Sequence, residues 1–180
     1  MNATKTKLGP DHPDTLASMS NLASMYWSLG RCKETERLEV DVMKAYKATL
    51  GSDHPDTLAS MSNLASTYWG QGRLDEMEKL EGDIMNTFKE TLGSDHPDTL
   101  ISMANLALTY WRQGRLDEAH SLLSPAVKEM QQVMGTHHPT VLHYTKNLKR
   151  LSKKTQHKEV SVVCMYIFFT IVLDSSLFLL

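Results

Sequence analysis

The sequence is short of cysteine and has no basic excess, and each shortage closes off a class of function. Two cysteines, Cys32 and Cys164, stand in 180 residues. A disulfide scaffold needs more of them, and a zinc site needs clustered Cys or His ligands. Cys32 occupies the place that Leu74 and Leu116 hold further along the chain, the place of a small buried hydrophobe. The formal net charge is −2, which argues against nucleic acid, because duplex binding shows a basic patch. The N-terminus lacks a charged-then-apolar signal sequence, so a reducing, cytoplasmic setting is expected. Charge is nevertheless uneven along the chain. Before Lys149 there are 14 basic and 19 acidic side chains, whereas Lys149, Arg150, Lys153, Lys154 and Lys158 form a run with no acid among them.

What is present is repetition. Asp-His-Pro-Asp-Thr-Leu occurs at Asp11–Leu16, Asp53–Leu58 and Asp95–Leu100, each copy 42 residues after the last. A decayed fourth copy, His137-His138-Pro139-Thr140-Val141-Leu142, follows one further period on. Asp11–Ser24 and Asp53–Ser66 are identical at every position. Tyr-Trp recurs at Tyr26, Tyr68 and Tyr110, and Gly-Arg at Gly30, Gly72 and Gly114.

Apolar spacing inside one unit is helical. Leu58, Met61, Leu64, Ala65 and Tyr68 form one stripe of a 3.6-residue period. Pro55 suits a first helical turn, with Asp53 or His54 as its cap, and Gly72 suits a left-handed helix end. A second helix begins near Leu74, with Met77, Leu80, Ile84 and Phe88 as its stripe. The same spacing puts Leu22, Leu64 and Leu106 in the core, together with Met19, Met61 and Met103 and with Tyr26, Tyr68 and Tyr110. Trp27, Trp69 and Trp111 fall at its edge. The fold class is therefore all-α, a superhelix of stacked antiparallel helical hairpins. One hairpin cannot bury its own face, and stacking does.

These residues carry a family resemblance. Asn63-Leu64-Ala65 followed by Tyr68-Trp69, Gly72-Arg73 with Glu76, and Leu92-Gly93 before Asp95–Thr99 together resemble the tetratricopeptide repeat. The 42-residue spacing is similar to the kinesin-light-chain subtype. Long arrays of near-identical units are also similar to the C-terminal sensor regions of fungal NLR-like proteins. Departures are Thr35 and Met77, where the family places a small alanine kept only as Ala119, and Pro125 inside a second helix, where a kink is expected.

The resulting organisation is a remnant of a preceding second helix (1–9), three repeats (10–50, 51–92, 93–134), a partial fourth (135–158) and an apolar tail (159–180). Ala3, Leu8 and Gly9 align with Ala45, Leu50 and Gly51, so the chain reads as a fragment of a longer array. The run from Val160 to Leu173 is 14 residues, short of the roughly 20 that span a bilayer. Its readings are a misread segment, a C-terminal membrane anchor or a makeshift cap on the last hairpin.

No catalytic group stands out. His54, His96 and His138 align, but they sit on successive hairpins, too far apart for one metal ion, and each reads as a turn residue. Gly70-Gln71-Gly72 begins like a phosphate loop, yet Asp75 takes the place of the third glycine and no strand precedes it. The reading is thus a chain with no enzymatic activity, no cofactor, no metal and no small-molecule substrate.

A partner would meet the side of each first helix opposite its buried stripe. There lie Asn21, Asn63, Asn105 and Asn147, one per unit, with Ser24 and Ser66 beside them and Arg112 as a local positive spot. An amide both donates and accepts, so it can pair with an extended peptide or tie adjacent first helices together. The resemblance implies a concave face lined by these residues and a protein or peptide as partner. The function expected is a non-catalytic interaction scaffold within a larger NLR-like sensor. Its rivals are a kinesin-light-chain-like cargo adaptor and a tail-anchored membrane adaptor.

Overall fold

The computed structural model describes residues 9–156. In chain order its helices are α1 (Pro13–Ser28), α2 (Cys32–Leu50), α3 (Pro55–Gly70), α4 (Leu74–Leu92), α5 (Pro97–Arg112) and α6 (Leu116–Met134). A seventh, α7, starts at residue 139 and is described to residue 156. The expectations for residues 1–8 and for the tail from Val160 lie outside the described residues. Among those described, no helix is long and apolar enough to cross a membrane.

Short signals set every helix boundary. The first helices α1, α3 and α5 are each 16 residues long and open on proline, whose missing N–H costs nothing in a first turn. The preceding histidine is the cap. Nδ1 of His12, His54 and His96 accepts the backbone N–H two residues on at 3.2 Å, and His138 does the same for Thr140 at 3.3 Å. At the other end of α3, Gly72 takes φ +74°. The Arg73 amide can then donate to the Tyr68 carbonyl at 2.9 Å and the Gly72 amide to Trp69 at 3.0 Å, which satisfies the last carbonyls of the helix. Pro125 lies inside α6 and does not shorten it. At 19 residues α6 matches α2 and α4.

The Gly-Arg turn also links one hairpin to the next. The Arg73 guanidinium stacks on the Tyr68 ring at 4.4 Å, pairs with Glu76 at 2.8 Å, and reaches back to Glu36 of α2 at 2.6 Å. Gln71 adds a 2.9 Å bond to the same Glu36. Arg115, Tyr110, Glu118, Gln113 and Glu78 repeat this arrangement one period later. Each exposed pair contributes little to stability alone. Repeated at successive junctions, the network sets the register between hairpins.

Packing runs along the chain, each helix against its sequence neighbours. Three apolar clusters result. Leu16, Met19 and Val42 form the first, Leu58, Met61 and Ile84 the second. The third is much larger, uniting Leu100, Ala104, Ala107, Leu123, Met130, Val141 and Leu151 with their neighbours. Buried and half-buried polar groups divide them. Glu39 on α2 faces Thr67 on α3, and Glu81 on α4 accepts a hydrogen bond from Thr109 on α5. One period on, Leu123 and Leu151 take these two places, both fully buried. An apolar pair therefore joins α6 to α7 into one core where polar pairs separate the earlier ones.

Some residues are less covered than their spacing implies. Leu64 and Leu106 are buried, but Leu22 is half-buried. Met19 and Met61 are buried while Met103 and the three tyrosines are half-buried. Trp27 and Trp69 are exposed at 39% and 49%, so these two tryptophans belong more to the surface than to the core edge.

Two measurements test this account. Nearest-neighbour stacks unfold from their weaker end, so amide hydrogen exchange should be slowest in α5 and α6 and fastest in α1 and α2. Uniform protection would show that the polar pairs do not divide the core. Burial holds the Glu39 and Glu81 carboxyls above the usual carboxylate range, partly offset by the threonine hydroxyls. Each binds its proton more tightly in the folded chain, so its stabilisation is present at acid pH and is lost as pH rises through the raised value. Glu36 and Glu78 act in the opposite sense. Partial burial raises Glu36, but bonds from Arg73 and Gln71 bring it below the usual range, and Gln113 and Arg115 hold Glu78 low. Urea melts from about pH 4 to about pH 8 should show wild type losing stability, relative to a Glu39→Gln/Glu81→Gln variant, as pH rises. A difference that stays flat would contradict the buried carboxyls.

Candidate partner-binding groove

The second helices pack between first helices, α2 between α1 and α3 and α4 between α3 and α5. The outer sides of α1, α3, α5 and α7 therefore share one face. Asn21, Asn63, Asn105, Ser24, Ser66 and Arg112 are all exposed, and Asn147 is half-buried. The serines spend their protons inside their own helices. Ser24 Oγ donates to the Ser20 carbonyl at 3.1 Å and Ser66 Oγ to Ser62 at 3.0 Å, so acceptor lone pairs are what they present outward.

The asparagines do not all behave alike. Asn105 Oδ1 accepts a 2.6 Å hydrogen bond from Tyr144 Oη, which ties α5 to α7. Ser60 and Ser102 hold the positions equivalent to Tyr144, and their hydroxyls turn back onto the Thr57 and Thr99 carbonyls. Asn21 and Asn63 are thereby left facing outward. Asn147 Nδ2 lies 3.1 Å from His143 Nε2 on its own helix.

Two hollows open on this face. A cavity of about 120 Å³ between α3, α4 and α5 is bordered by Ser66 and Asn105, with Glu81 beneath them. A wider cleft of about 450 Å³ between α5 and α7 is lined by Trp111, Arg112, His143, Asn147, Arg150 and Lys154. The structure thus brings Ser66 and Asn105 together in one hollow and Arg112 and Asn147 in the other. Asn21, Ser24 and Asn63 border neither of these two.

Charge and aromatic surface are coupled along the groove. The Arg112 guanidinium lies 4.5 Å over the Trp69 ring, and Arg150 and Lys154 lie 5.9 and 5.7 Å from Trp111. Cations over indole faces are attracted by the ring quadrupole. Forty-three residues separate Trp69 from Arg112 and Trp111 from Lys154, and the same step from Trp27 reaches Gly70. A β-carbon there would overlap the Trp27 ring, so the indole lies directly on the next helix. The groove passes from an uncharged end to a cationic one.

Sequence reasoning missed Glu81, Thr109 and Tyr144. A readable signal existed: a carboxylate interrupts the apolar stripe between Met77 and Ile84, and the Glu–Thr pair becomes Leu–Leu at both places one period on. Burial holds Glu81 above the usual carboxylate range, while the Thr109 hydroxyl and Arg112 draw it back. Burial and the neighbouring Glu81 push Tyr144 up to about 12. The aligned histidines serve as helix caps, and among the described residues no group of three His, Cys, Asp or Glu side chains could hold a metal ion.

Comparison with known proteins agrees with this architecture. Two family profiles, both described as tetratricopeptide repeat, match residues 15–56 and 69–128. No curated protein matches the sequence. A solved structure of the putative kinesin light chain nearly identical TPR-like repeats of Podosopora anserina is 30% identical, with a TM-score of 0.75, covering 91% of this chain and 78% of that one. A second structure of those repeats, carrying one substitution, gives 30% identity and a TM-score of 0.76, covering 92% of this chain and 79% of that one. BtubC (BKLC) from P. vanneervenii has a TM-score of 0.69 at 18% identity, covering 85% of this chain and 61% of that one, a likeness of fold alone. With its helical pairs, its 42-residue period and these matches, the chain belongs to the tetratricopeptide repeat family, in the kinesin-light-chain-like form.

Proposed function

We propose that this tetratricopeptide scaffold binds an extended segment of a partner protein along the concave face made by α1, α3, α5 and α7. The observation that carries the reading is the strip of exposed small polar side chains, Asn21, Ser24, Asn63, Ser66 and Asn105, on helices whose other sides are buried. Small side chains let a peptide backbone approach, and outward amides can pair with its N–H and C=O groups. Arg112 and Asn147 extend the same face into the cationic cleft. The repeats of this scaffold are 10–50, 51–92 and 93–134, with a partial fourth. Their near-identity supports a place in the sensor array of a larger NLR-like protein, since such arrays grow by duplication of whole units.

A second reading, a cargo adaptor of the kinesin-light-chain sort, is favoured by the cleft beside Trp111. Its cations, Arg112, Arg150 and Lys154, suit an acidic peptide that carries a tryptophan. Saturable binding of such a peptide, lost on Arg150→Glu, would move the assignment to the adaptor.

The groove itself is tested by charge and bulk. Peptides selected from a random display library on the full chain should lose at least about tenfold in affinity on Asn63→Arg or Asn105→Arg. The melting temperature of Asn63→Arg should stay near wild type, because this side chain is exposed. Selected peptides that bind both variants as well as wild type would place the contact elsewhere.

A further inference from the structure

The cavity over Glu81 has a chemistry of its own. Glu81 is only 9% exposed, and the one hydrogen bond it accepts among the described residues comes from Thr109 to Oε2. Oε1 is left for the cavity that Glu81 lines. The hydroxyls bordering that cavity have already given their protons away: Ser62 donates to the Leu58 carbonyl at 3.0 Å, Ser66 to Ser62 at 3.0 Å and Ser102 to Thr99 at 2.7 Å. What they can present is oxygen lone pairs. A hollow floored by a carboxylate and bordered by three hydroxyl oxygens, with the Asn105 amide the one neutral donor on its rim, favours a donor that carries positive charge.

Among the described residues no cation lines the cavity. Arg112, the cation whose field acts on Glu81, is held over the Trp69 ring at 4.5 Å. Size and donor geometry narrow the occupant. About 120 Å³ is the room of one slender side chain, close to the roughly 150 Å³ that accepts a benzene-sized group. A guanidinium fork pairs best with both oxygens of a carboxylate, and here Thr109 occupies one of them. An ammonium has three diverging donors and needs one carboxylate oxygen plus two neutral acceptors. Glu81 Oε1 with two of the serine hydroxyls supplies that set.

The next junction does not repeat the hollow. One period on, Glu81 becomes Leu123, Ser66 becomes Leu108 and Ser102 becomes Tyr144, and Leu123 and Tyr144 are buried in the large apolar cluster. One period back, Ser20, Ser24, Ser60 and Asn63 repeat the border and Glu39 keeps the carboxylate, but its Oε2 is closed off without a partner.

We propose that the cavity formed by Ser62, Ser66, Glu81, Ser102 and Asn105 is a lysine pocket, which receives the ammonium of a single lysine side chain of the partner segment. The inference rests on the groove reading above, and it names one feature of the partner's chemistry.

The test uses a probe small enough to be independent of any partner peptide. N-acetyl-lysine methylamide is titrated into isotope-labelled full chain and followed by amide NMR. The expected result is saturable shifts confined to residues around Ser66, Glu81 and Asn105, with millimolar affinity. The Nε-acetylated probe, which is neutral, should produce none. Glu81→Gln should weaken the response at least about tenfold. Should that variant misfold, Glu81→Leu/Thr109→Leu copies the pair already present as Leu123 and Leu151, and it should abolish the response while keeping the helices. Equal response to the neutral probe, no localised shift at all, or a response that survives in the folded Glu81 variants each overturns the lysine pocket. An arginine derivative that binds more tightly than the lysine one overturns the choice of ammonium. Groove-dependent capture of selected peptides with no lysine response leaves the scaffold reading standing and removes only this inference.

Discussion

The first helices α3 and α5 are each covered by the second helix of the hairpin before as well as by their own, and the buried side chains lie in those contacts. The arrangement leaves the third side of the first helix with no part in burial. That side can therefore carry asparagine and serine without loss of stability, as it does on α1 and α3. Scaffold and binding face are two consequences of one constraint. A hairpin too small to bury its own surface must stack, and stacking exposes one strip per repeat in register with the next.

The junctions are built in two ways. A buried or half-buried carboxylate with a threonine hydroxyl contributes less than a well-packed apolar pair of similar volume, since desolvating the charge offsets much of its attraction. Glu39–Thr67 and Glu81–Thr109 thus make the earlier junctions softer than the one closed by Leu123 and Leu151. A softer, polar junction is also where space and unspent acceptors remain. The same substitution that splits the core leaves the Glu81 hollow open to the groove.

The tryptophans give the groove its polarity. All three stand at the end of a first helix in the same register, yet the residue that meets each one changes from Gly70 to Arg112 to Lys154. Identical platforms with different covers let a repetitive chain present a graded surface, neutral beside α1 and cationic beside α7. A partner can then be held in one direction and one register, which a strictly periodic surface could not impose.

The period, the helix boundaries and the exposed strip are legible in the order of the amino acids alone. Each of these depends on residues close together in the chain: proline and histidine at a helix start, glycine at its end, and apolar spacing along one face. Local physics acts the same way in every repeat, so identical letters gave identical elements. Tertiary structure decided whatever depends on a residue about 40 positions away. It made Asn105 a tie to Tyr144 while leaving Asn63 outward, and laid Trp27 on Gly70. It also turned Glu81, by its letter an ordinary surface acid, into the floor of a cavity. Within α4 this acid shows only as a break in the apolar stripe between Met77 and Ile84, and what lies against it is a property of the space between helices.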